Sequence, residues 1–215
     1  MAEPVLDTLL LWARPALLPA FTLFGAAVTW LEVVAFVLAL CMVWANLRVN
    51  PLGWPLAIIS SLLYALLFAD SKLYGEAGLQ FVFLALALWS WWQWLRGTTA
   101  AGASLPVRHL QPRQRLWAAA ATLAAWPLLG LLLKHSTDSD VPFFDALPTA
   151  ASITAQVLLG RKLVDNWPLW LAVNIVSVAL FAYKGLWLTV VLYGLFALLS
   201  VVGWRAWRQK AAQGG

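Results

Sequence analysis

Two stretches of this chain have nearly the same sequence and lie 113 residues apart. Trp-Pro-Leu at 54–56 recurs at 167–169, and Leu-Phe-Ala at 67–69 recurs at 180–182. The same offset, without a gap, relates a further set of matched residues: Leu73 and Leu186, Leu79 and Leu192, Phe83 and Phe196, Leu86 and Leu199, Trp91 and Trp204, and Trp94 and Trp207. A duplicated sequence predicts two copies of one structural unit that pack against each other.

The apolar residues of the chain fall in runs that are long enough to cross a membrane. A helix needs about 20 consecutive apolar residues to span the hydrocarbon layer. The chain is 63% hydrophobic and 11% charged, whereas a soluble domain is about half apolar and a quarter charged. The runs do not alternate with period two, which excludes an outer-membrane barrel. The sequence therefore predicts an all-α integral membrane protein with several spans.

Seven apolar runs, separated by charged or Pro- and Gly-containing breaks, predict seven transmembrane helices: 30–46, 54–70, 76–95, 114–133, 143–160, 167–183 and 186–204. The earlier stretch 4–28 is also apolar, but it contains Arg14, Pro15 and Pro19, and proline interrupts helical hydrogen bonding. We interpret this stretch as an interfacial helix that lies on the membrane, in preference to an eighth span.

The basic residues predict the orientation of these helices. With seven spans, the connections alternate between the two sides of the membrane. One side receives ten of the 14 Lys and Arg residues: Arg48, Arg96, Arg108, Arg113, Arg115, Arg161, Lys162, Arg205, Arg208 and Lys210. Cytoplasmic loops retain basic residues, so the N-terminus is predicted outside and the C-terminus in the cytoplasm. Because topology accounts for the net charge of +5, no nucleic-acid partner is indicated.

The repeat falls on spans one to three and five to seven, so the fourth span is an unmatched linker. An odd linker places both three-helix copies in the same orientation, which is the 3+1+3 arrangement of SWEET carriers. The chain then divides into an N-terminal interfacial segment, a first unit, a basic loop with the linker helix, a second unit and a tail: 1–29, 30–96, 97–142, 143–208 and 209–215. Duplicated helical units are most often transporters that bind substrate between the copies.

Polar side chains inside the spans are the candidate binding residues, because burying them in a membrane costs free energy unless they are paired, hydrated or bound to a ligand. They are Asn46, Ser60, Ser61, Tyr64, Gln80, Gln93, Gln156, Asn174 and Lys184. Amides dominate, and the carboxylates Glu32, Asp70, Glu76 and Asp145 all lie near the outer ends of the spans. This pattern favours passive transport of an uncharged or weakly cationic solute. Hydrogen bonding between helices is the alternative role, especially for Ser60 and Ser61.

The polar groups differ between the two copies. Gln80 corresponds to Tyr193, Asn174 to Ser61 and Gln156 to Val43. A symmetric scaffold that carries different polar groups in its two halves predicts a binding site for one asymmetric solute.

Tryptophan is abundant, with 15 residues in the chain. Aromatic belts at the membrane interfaces account for many of them. Trp91 and Trp94 share a helix face and suit stacking on a flat, positively charged ring. The alternative is helix packing, which the equivalent residues Trp204 and Trp207 favour.

Two further sets of residues are candidates for conformational roles. Lys184 either extends to water at the outer interface or pairs with Asp70 or Asp145 as part of an outer gate. Pro55 and Pro168 lie at matched positions near the starts of spans two and six, where they either initiate the helices or form an inner hinge. We find no phosphate-binding loop, metal-ligand spacing or catalytic constellation, so no cofactor and no enzymatic activity are expected.

Several short motifs occur in order along the two halves of the chain: Lys-Leu-Tyr-Gly-Glu at 72–76 with Leu79-Gln80, Trp91-x-x-Trp94-Leu95-Arg96, and in the second half Asp145, Gln156, Asn166-Trp167-x-x-Trp170, Asn174 and Tyr183-Lys184-Gly185-Leu186. In these motifs the sequence resembles the PnuC family of nicotinamide riboside transporters. It covers about residues 30–208. Ser90 departs from the family pattern, in which a glycine tends to precede the first tryptophan.

The resemblance implies facilitated diffusion of nicotinamide riboside into the bacterial cytoplasm across the inner membrane, with trapping by a cytosolic kinase, and a homotrimer. It implies that the substrate contacts are Asn46, Gln80, Trp91, Trp94, Gln156, Trp167, Trp170 and Asn174. Relatives that carry thiamine or riboflavin leave the substrate open between these vitamins. A membrane scaffold without transport activity, in which the tryptophans only pack helices, is the alternative from another class.

Overall fold

The computed structural model describes residues 14–70, 74–98, 105–136, 141–183 and 187–213. Over these ranges the chain forms a short β-hairpin followed by seven long helices. The helices are α1 (Trp30–Leu47), α2 (Gly53–Asp70), α3 (Tyr74–Arg96), α4 (Pro112–Ser136), α5 (Pro142–Gly160), α6 (Asn166–Tyr183) and α7 (Trp187–Gln213). The seven predicted helical segments are therefore present.

Five of these helices, within the described ranges, are long and apolar enough to cross a membrane: α1, α4, α5, α6 and α7. A shorter apolar helical segment is Gly53–Leu67 in α2. The main difference from the predicted bounds is at the C-terminus, where α7 continues to Gln213 and includes most of the predicted tail. The extension is held by Lys210, whose Nζ donates a hydrogen bond to the Arg48 carbonyl at 3.3 Å.

The predicted interfacial helix is wrong over the described part of the N-terminal segment, and residues 1–13 lie outside the described ranges. The strands β1 (Pro19–Leu23) and β2 (Ala26–Thr29) form an antiparallel hairpin. Its two-residue turn, Phe24 and Gly25, has positive φ angles of 48° and 85°. Two successive positive φ angles match the twist of antiparallel strands and favour a hairpin turn. Proline also disfavours the helix that the apolar composition suggested.

The hairpin leads directly into α1. Thr29 is the N-cap of this helix and forms a capping box with Glu32, in which each side chain binds the other residue's backbone N–H. The tip of the hairpin reaches the start of α7, where the Phe24 and Trp187 rings lie 5.5 Å apart between centroids. The hairpin therefore lies at the end of the molecule where α1 and α7 begin.

The helices pack in two groups with matching contacts. In the first group α1 packs on α2 and α2 on α3, and in the second α5 packs on α6 and α6 on α7. Between the groups, α3 packs on α5 and α1 packs on α7. The helix α4 packs against α5.

The helix ends also match at the 113-residue offset. The helices α1 and α5 end at Leu47 and Gly160, and each is followed by a residue in the left-handed conformation, Val49 with φ 59° and Lys162 with φ 55°. A left-handed residue after a helix is a common way of ending it. The repeat in sequence is thus a repeat in backbone geometry.

Two tryptophans connect the groups through equivalent hydrogen bonds. The Nε1 of Trp94 in α3 donates to the carbonyls of Leu159 at 3.3 Å and Gly160 at 3.1 Å, in the last turn of α5. Its counterpart Trp207 in α7 donates from Nε1 to the carbonyls of Asn46 at 3.2 Å and Leu47 at 3.1 Å, in the last turn of α1. The last carbonyls of a helix have no partner within the helix, so an indole N–H from the other group supplies one.

These bonds bring the C-terminal ends of α1, α3 and α5 to the same end of the molecule. This end, which contains Trp54, Trp94, Trp167 and Trp207, is called the tryptophan end. The opposite end, where α1 and α7 begin, is called the hairpin end.

The loop before α4 is attached to the loop between α5 and α6. Asp165 accepts a hydrogen bond from the Leu110 N–H at 2.8 Å and pairs with the Arg115 Nε at 2.7 Å. Arg108 and Leu163 form a single parallel bridge beside this pair. The contacts fix the position of α4 against the second group of helices.

Candidate functional site

A cavity of about 470 Å³ lies between the two groups of helices. Six helices contribute side chains to its described lining, and α4 contributes none. The volume falls in the range of about 300–1,000 Å³ that is usual for small-molecule sites. The duplication therefore places a cavity between its two copies, as the sequence predicts.

One face of α1 runs along the length of the cavity. Apart from Met42, the lining residues of this helix and its N-cap recur every three or four positions, which is the spacing of one helix face: Thr29, Glu32, Phe36, Ala39, Val43 and Asn46. Thr29 and Glu32 mark the hairpin end of the cavity. Asn46 marks its deep end, next to the tryptophan end.

The lining combines amides and hydroxyls with aromatic and aliphatic side chains. Besides Thr29, Glu32 and Asn46, the polar lining residues are Ser60, Ser61, Tyr64, Gln80, Ser152, Gln156, Asn174, Thr189, Tyr193 and Ser200. An amide can both donate and accept hydrogen bonds, as can a hydroxyl. The arrangement suits a polar solute with a flat ring.

The three pairs of unlike repeat positions all face this cavity. Gln80 and Tyr193, Ser61 and Asn174, and Val43 and Gln156 belong to its lining. The predicted asymmetry of the polar groups is therefore an asymmetry of the cavity wall.

Asn174 is held by a hydroxyl on the neighbouring helix. It is 2% exposed, and its Nδ2 donates to the Ser200 Oγ at 3.2 Å. The Ser200 hydroxyl in turn donates to the Phe196 carbonyl at 2.7 Å. This chain of bonds fixes the orientation of the Asn174 amide in the cavity wall.

Two residues at the deep end of the cavity each carry a buried polar atom without a hydrogen-bond partner in the described part of the protein. The Asn46 Oδ1 and the Trp167 Nε1 are buried and accept or donate no hydrogen bond within the described part of the protein. Both residues line the cavity and are 3% exposed. A buried polar group without a partner costs about 1–3 kcal/mol.

Six of the eight predicted substrate contacts line the cavity: Asn46, Gln80, Gln156, Trp167, Trp170 and Asn174. Trp167 and Trp170 are three residues apart on α6 and share a face, as the sequence indicates. Contact with a substrate stays a prediction for all six.

The other two predicted contacts, Trp91 and Trp94, are outside the cavity lining. Trp94 is 7% exposed and lies in the core of the tryptophan end, edge-on to Trp54 with centroids 5.3 Å apart and an interplanar angle of 85°. Its Nε1 is already bound to two helix carbonyls. Trp91 packs against the same core. In this structure the two residues pack in the core, as the match with Trp204 and Trp207 favoured, and contact with a substrate stays a prediction for them too.

Several lining residues were not among the substrate contacts expected from the sequence. They include Tyr193, Phe196 and Ser200, which are spaced three and four apart on α7. That spacing marks a helix face and is the signal that could have found them. The spacing is not visible in the sequence, because the residues between these positions are also apolar or small and suit a membrane span.

The predicted gate and hinge residues are only partly described. Asp145 is 7% exposed in the first turn of α5, but it is not among the cavity-lining residues. The side chain of Asp70 and the whole of Lys184 lie outside the described residues, so pairing between them stays a prediction. Pro55 and Pro168 lie in the first turns of α2 and α6, where proline fits without loss of a helical hydrogen bond.

Basic side chains gather at the tryptophan end. The Lys162 Nζ lies 5.3 Å from the centroid of the Trp94 ring, and burial lowers the pKa of this ammonium group. Arg48 lies over the Trp44 ring at 4.5 Å. Within the cavity, in contrast, Glu32 is the one charged residue of the described lining. Across the described ranges, no three His, Cys, Asp or Glu side chains come close enough to hold a metal ion.

A model of a known protein family matches residues 29–209, which is most of the chain and covers the seven helices except for the last four residues of α7. The model is described as nicotinamide mononucleotide transporter. The chain belongs to this family. The resemblance to PnuC transporters is thereby confirmed, and membership makes the protein a membrane transporter and not an enzyme.

Individual proteins that are similar to this chain agree with the assignment to this family. The nicotinamide riboside transporter PnuC of Escherichia coli is 26% identical over 89% of this chain and 90% of its own length. The riboflavin/roseoflavin transporter RibM of Streptomyces davaonensis is 32% identical over 87% of this chain and 89% of its own. The PnuC of Neisseria mucosa is 32% identical over 72% of this chain and 60% of its own.

This protein also has the fold of a solved structure. The crystal structure of the vitamin B3 transporter PnuC has a TM-score of 0.72 to this protein and 23% sequence identity, and the match covers 99% of this chain and 89% of that one. At this identity the likeness concerns the fold alone.

Proposed function

We propose that the protein carries nicotinamide riboside across the bacterial cytoplasmic membrane by facilitated diffusion. The observation that carries the proposal is the cavity between the two helix groups, with its amides, hydroxyls and aromatic rings. Nicotinamide riboside offers a cationic aromatic ring, a carboxamide and ribose hydroxyls. Tryptophan faces suit the ring, while Asn and Gln can bind the carboxamide and the hydroxyls.

The lining favours the riboside over the mononucleotide. A phosphate group is normally bound by Arg, Lys or the N-terminus of a helix, which neutralise its charge. Among the described lining residues none is Lys, Arg or His. Burying a phosphate dianion here would therefore cost free energy without compensation.

Riboflavin is the second candidate substrate, and the RibM relative favours it. Its ribityl chain offers hydroxyls like those of ribose, and its ring is flat. The flavin ring is uncharged and three rings wide, whereas the pyridinium of the riboside carries a positive charge that Trp167 and Trp170 can stabilise. Thiamine has a cationic ring but lacks the ribose hydroxyls, so it uses fewer of the polar groups.

The proposed architecture has two three-helix units in the same orientation, residues 30–96 and 143–208, with α4 as linker. The matched indole bonds of Trp94 and Trp207 support it, because equivalent helix ends meet at one end of the molecule. The basic residues at the tryptophan end support a cytoplasmic location for this end, with the N-terminus outside.

The cavity in this structure belongs to a state that is closed towards the cytoplasm. Its lining reaches the exposed Ala27 at the hairpin end, but at the other end it stops at Trp167, behind which Trp207 is fully buried. Release into the cytoplasm then needs the two units to separate at the tryptophan end. Pro55 and Pro168 lie at this end and are proposed as the hinge.

Two further proposals follow from the family resemblance. A cytosolic kinase traps the imported riboside as its phosphate, which the cavity does not accept. The protein also assembles as a homotrimer with one cavity in each protomer, and the mass of the protein in lipid nanodiscs tests this.

Calorimetric titration of the purified protein with nicotinamide riboside, nicotinamide mononucleotide, riboflavin and thiamine tests the substrate assignment. We expect saturable binding of the riboside and none of the mononucleotide. Saturable binding of riboflavin or thiamine in place of the riboside would keep the carrier and change its substrate. Binding of none of the four would contradict the proposal.

A further inference from the structure

We propose that Glu32 selects a positively charged nucleoside over a neutral one at the hairpin end of the cavity. The inference rests on the proposed function and adds to it the residue that distinguishes the oxidised, cationic pyridinium nucleoside from its reduced, uncharged dihydropyridine form. Glu32 is the one charged side chain of the described lining. Its carboxylate adds the attraction of a full negative charge to the weaker stabilisation that the rings of Trp167 and Trp170 provide.

The capping box fixes the Glu32 side chain in place. The Thr29 backbone N–H donates to the Glu32 Oε2 at 2.8 Å, and the Thr29 Oγ1 contacts the same oxygen at 3.3 Å. The Glu32 backbone N–H donates back to the Thr29 Oγ1 at 3.2 Å. Both contacts use Oε2, so the described hydrogen bonds leave Oε1 unused. One carboxylate oxygen is therefore held by the helix start, and the other remains for a solute in the cavity.

The negative charge of Glu32 is stabilised locally but is not neutralised by an ion pair. It lies in the first turn of α1, where the helix dipole favours an anionic side chain. The salt bridges in the described part of the protein involve Asp165 and not Glu32. Among the described residues no cationic side chain is paired with this carboxylate, so its charge is available to a cationic solute that enters the cavity.

Glu32 lies on the path to the deep end of the cavity. It shares the cavity-lining face of α1 with Asn46, and 14 residues of helix separate the two by about 21 Å. A solute from the hairpin end meets the carboxylate before it reaches Asn46 and Trp167 at the deep end. The attraction therefore acts at entry, where long-range charge interactions raise the local concentration of a cation.

The two copies of the repeat differ in whether their matched acidic residue lines the cavity. The position that corresponds to Glu32 at the 113-residue offset is Asp145, which also lies in the first turn of its helix. Asp145 is buried and is absent from the cavity lining. Both copies thus carry an acidic residue at the start of the first helix, but only the first copy presents it to the cavity.

The substitution E32Q tests the proposal without removing the helix cap. Glutamine occupies the same position of a capping box as glutamate, so α1 keeps its N-terminal hydrogen bonds. Dissociation constants are measured by calorimetry for nicotinamide riboside and for its neutral reduced form, on the wild type, E32Q and E32D. A further variant, D165N, removes an equal charge from the loop between α5 and α6. This loop is at the tryptophan end, and Asp165 is outside the cavity lining.

We expect E32Q to weaken binding of the cationic riboside by about three- to tenfold, the size of one charge interaction at a partly hydrated site. Binding of the reduced form should change by less than about twofold, because that form carries no charge for the carboxylate to attract. E32D should keep the preference for the cation, and D165N should leave the ratio of the two dissociation constants unchanged.

Equal weakening of both forms by E32Q, or no weakening of either, would overturn the role of Glu32 in charge selection. A wild-type protein that binds neither form would instead contradict the proposed substrate. The two failures are distinguishable because the first needs measurable binding to the wild type and the second is the absence of it.

Discussion

The rings of Trp94 and Trp207 lie against each other, with centroids 6.1 Å apart, although the two residues are 113 positions apart in the chain. Each ring donates its Nε1 hydrogen bonds to the last turn of a helix in the opposite group. Each also has an edge-on tryptophan beside it, Trp54 for Trp94 and Trp167 for Trp207. The four rings form a row that joins the two groups and closes the tryptophan end of the cavity.

Removal of either indole N–H should destabilise the protein by a similar amount. W94F and W207F each keep an aromatic ring but leave two helix carbonyls without their donor, at a cost of about 1–2 kcal/mol. We expect a lower thermal midpoint for both variants in the same detergent. W92F is the matched control, because Trp92 is 57% exposed in the same helix as Trp94. A large loss for only one of the two buried tryptophans would contradict their equivalence.

Gly203 permits Trp167 to lie where it does. A Cβ at this position would be 2.6 Å from three atoms of the Trp167 ring, closer than real Cβ contacts. G203A should therefore displace the ring from the cavity wall, and we expect it to lower both the thermal midpoint and the affinity for nicotinamide riboside at least threefold.

The control for this substitution is G194A in the same helix. A Cβ at Gly194 meets no atom within 4 Å, and alanine is favoured over glycine in a helix by about 1 kcal/mol. This variant should be as stable as the wild type or more so. Similar behaviour of G203A and G194A would show that the close contact with Trp167 has no energetic consequence.

Asn174 and Ser200 should differ in their effect on binding, although they are hydrogen-bonded to each other. N174A removes an amide from the cavity wall, and we expect at least a tenfold loss of affinity for the riboside, since one hydrogen bond with a buried partner is worth about 1–3 kcal/mol. S200A removes only the group that orients the amide, so a two- to threefold loss is expected. Calorimetry on both variants measures the difference, and a larger loss for S200A would reverse the assigned roles.

The positions of the helices could be predicted from the sequence because a membrane leaves the backbone few alternatives. Every polar backbone group in the hydrocarbon layer must be paired internally, so a long apolar run forms a helix. At the N-terminal segment this constraint is absent. There the apolar composition led to the wrong prediction of a helix. Gly25 and the two prolines, Pro15 and Pro19, favour the hairpin that is present.

The cavity residues were partly predictable. Asn174, Gln156 and Gln80 are recognisable because an amide inside a span needs a reason. Trp91 and Trp94 could not be separated from Trp167 and Trp170 by residue type, since all four suit both stacking on a ring and packing in a core. What separates them is the direction of each helix face and the helix carbonyls that Trp94 meets from the other group. Those depend on packing between residues about 65 positions apart.

Uptake into liposomes tests the central claim, that one cavity between two copies carries nicotinamide riboside passively. The purified protein is reconstituted with no ion gradient and with ionophores present, and labelled nicotinamide riboside is followed inside the vesicles. We expect saturable entry that stops at equal concentrations on the two sides, acceleration by unlabelled riboside preloaded in the vesicles, and no entry of the mononucleotide. Uptake that requires a sodium or proton gradient, or entry of the mononucleotide at the same rate as the riboside, would contradict the account.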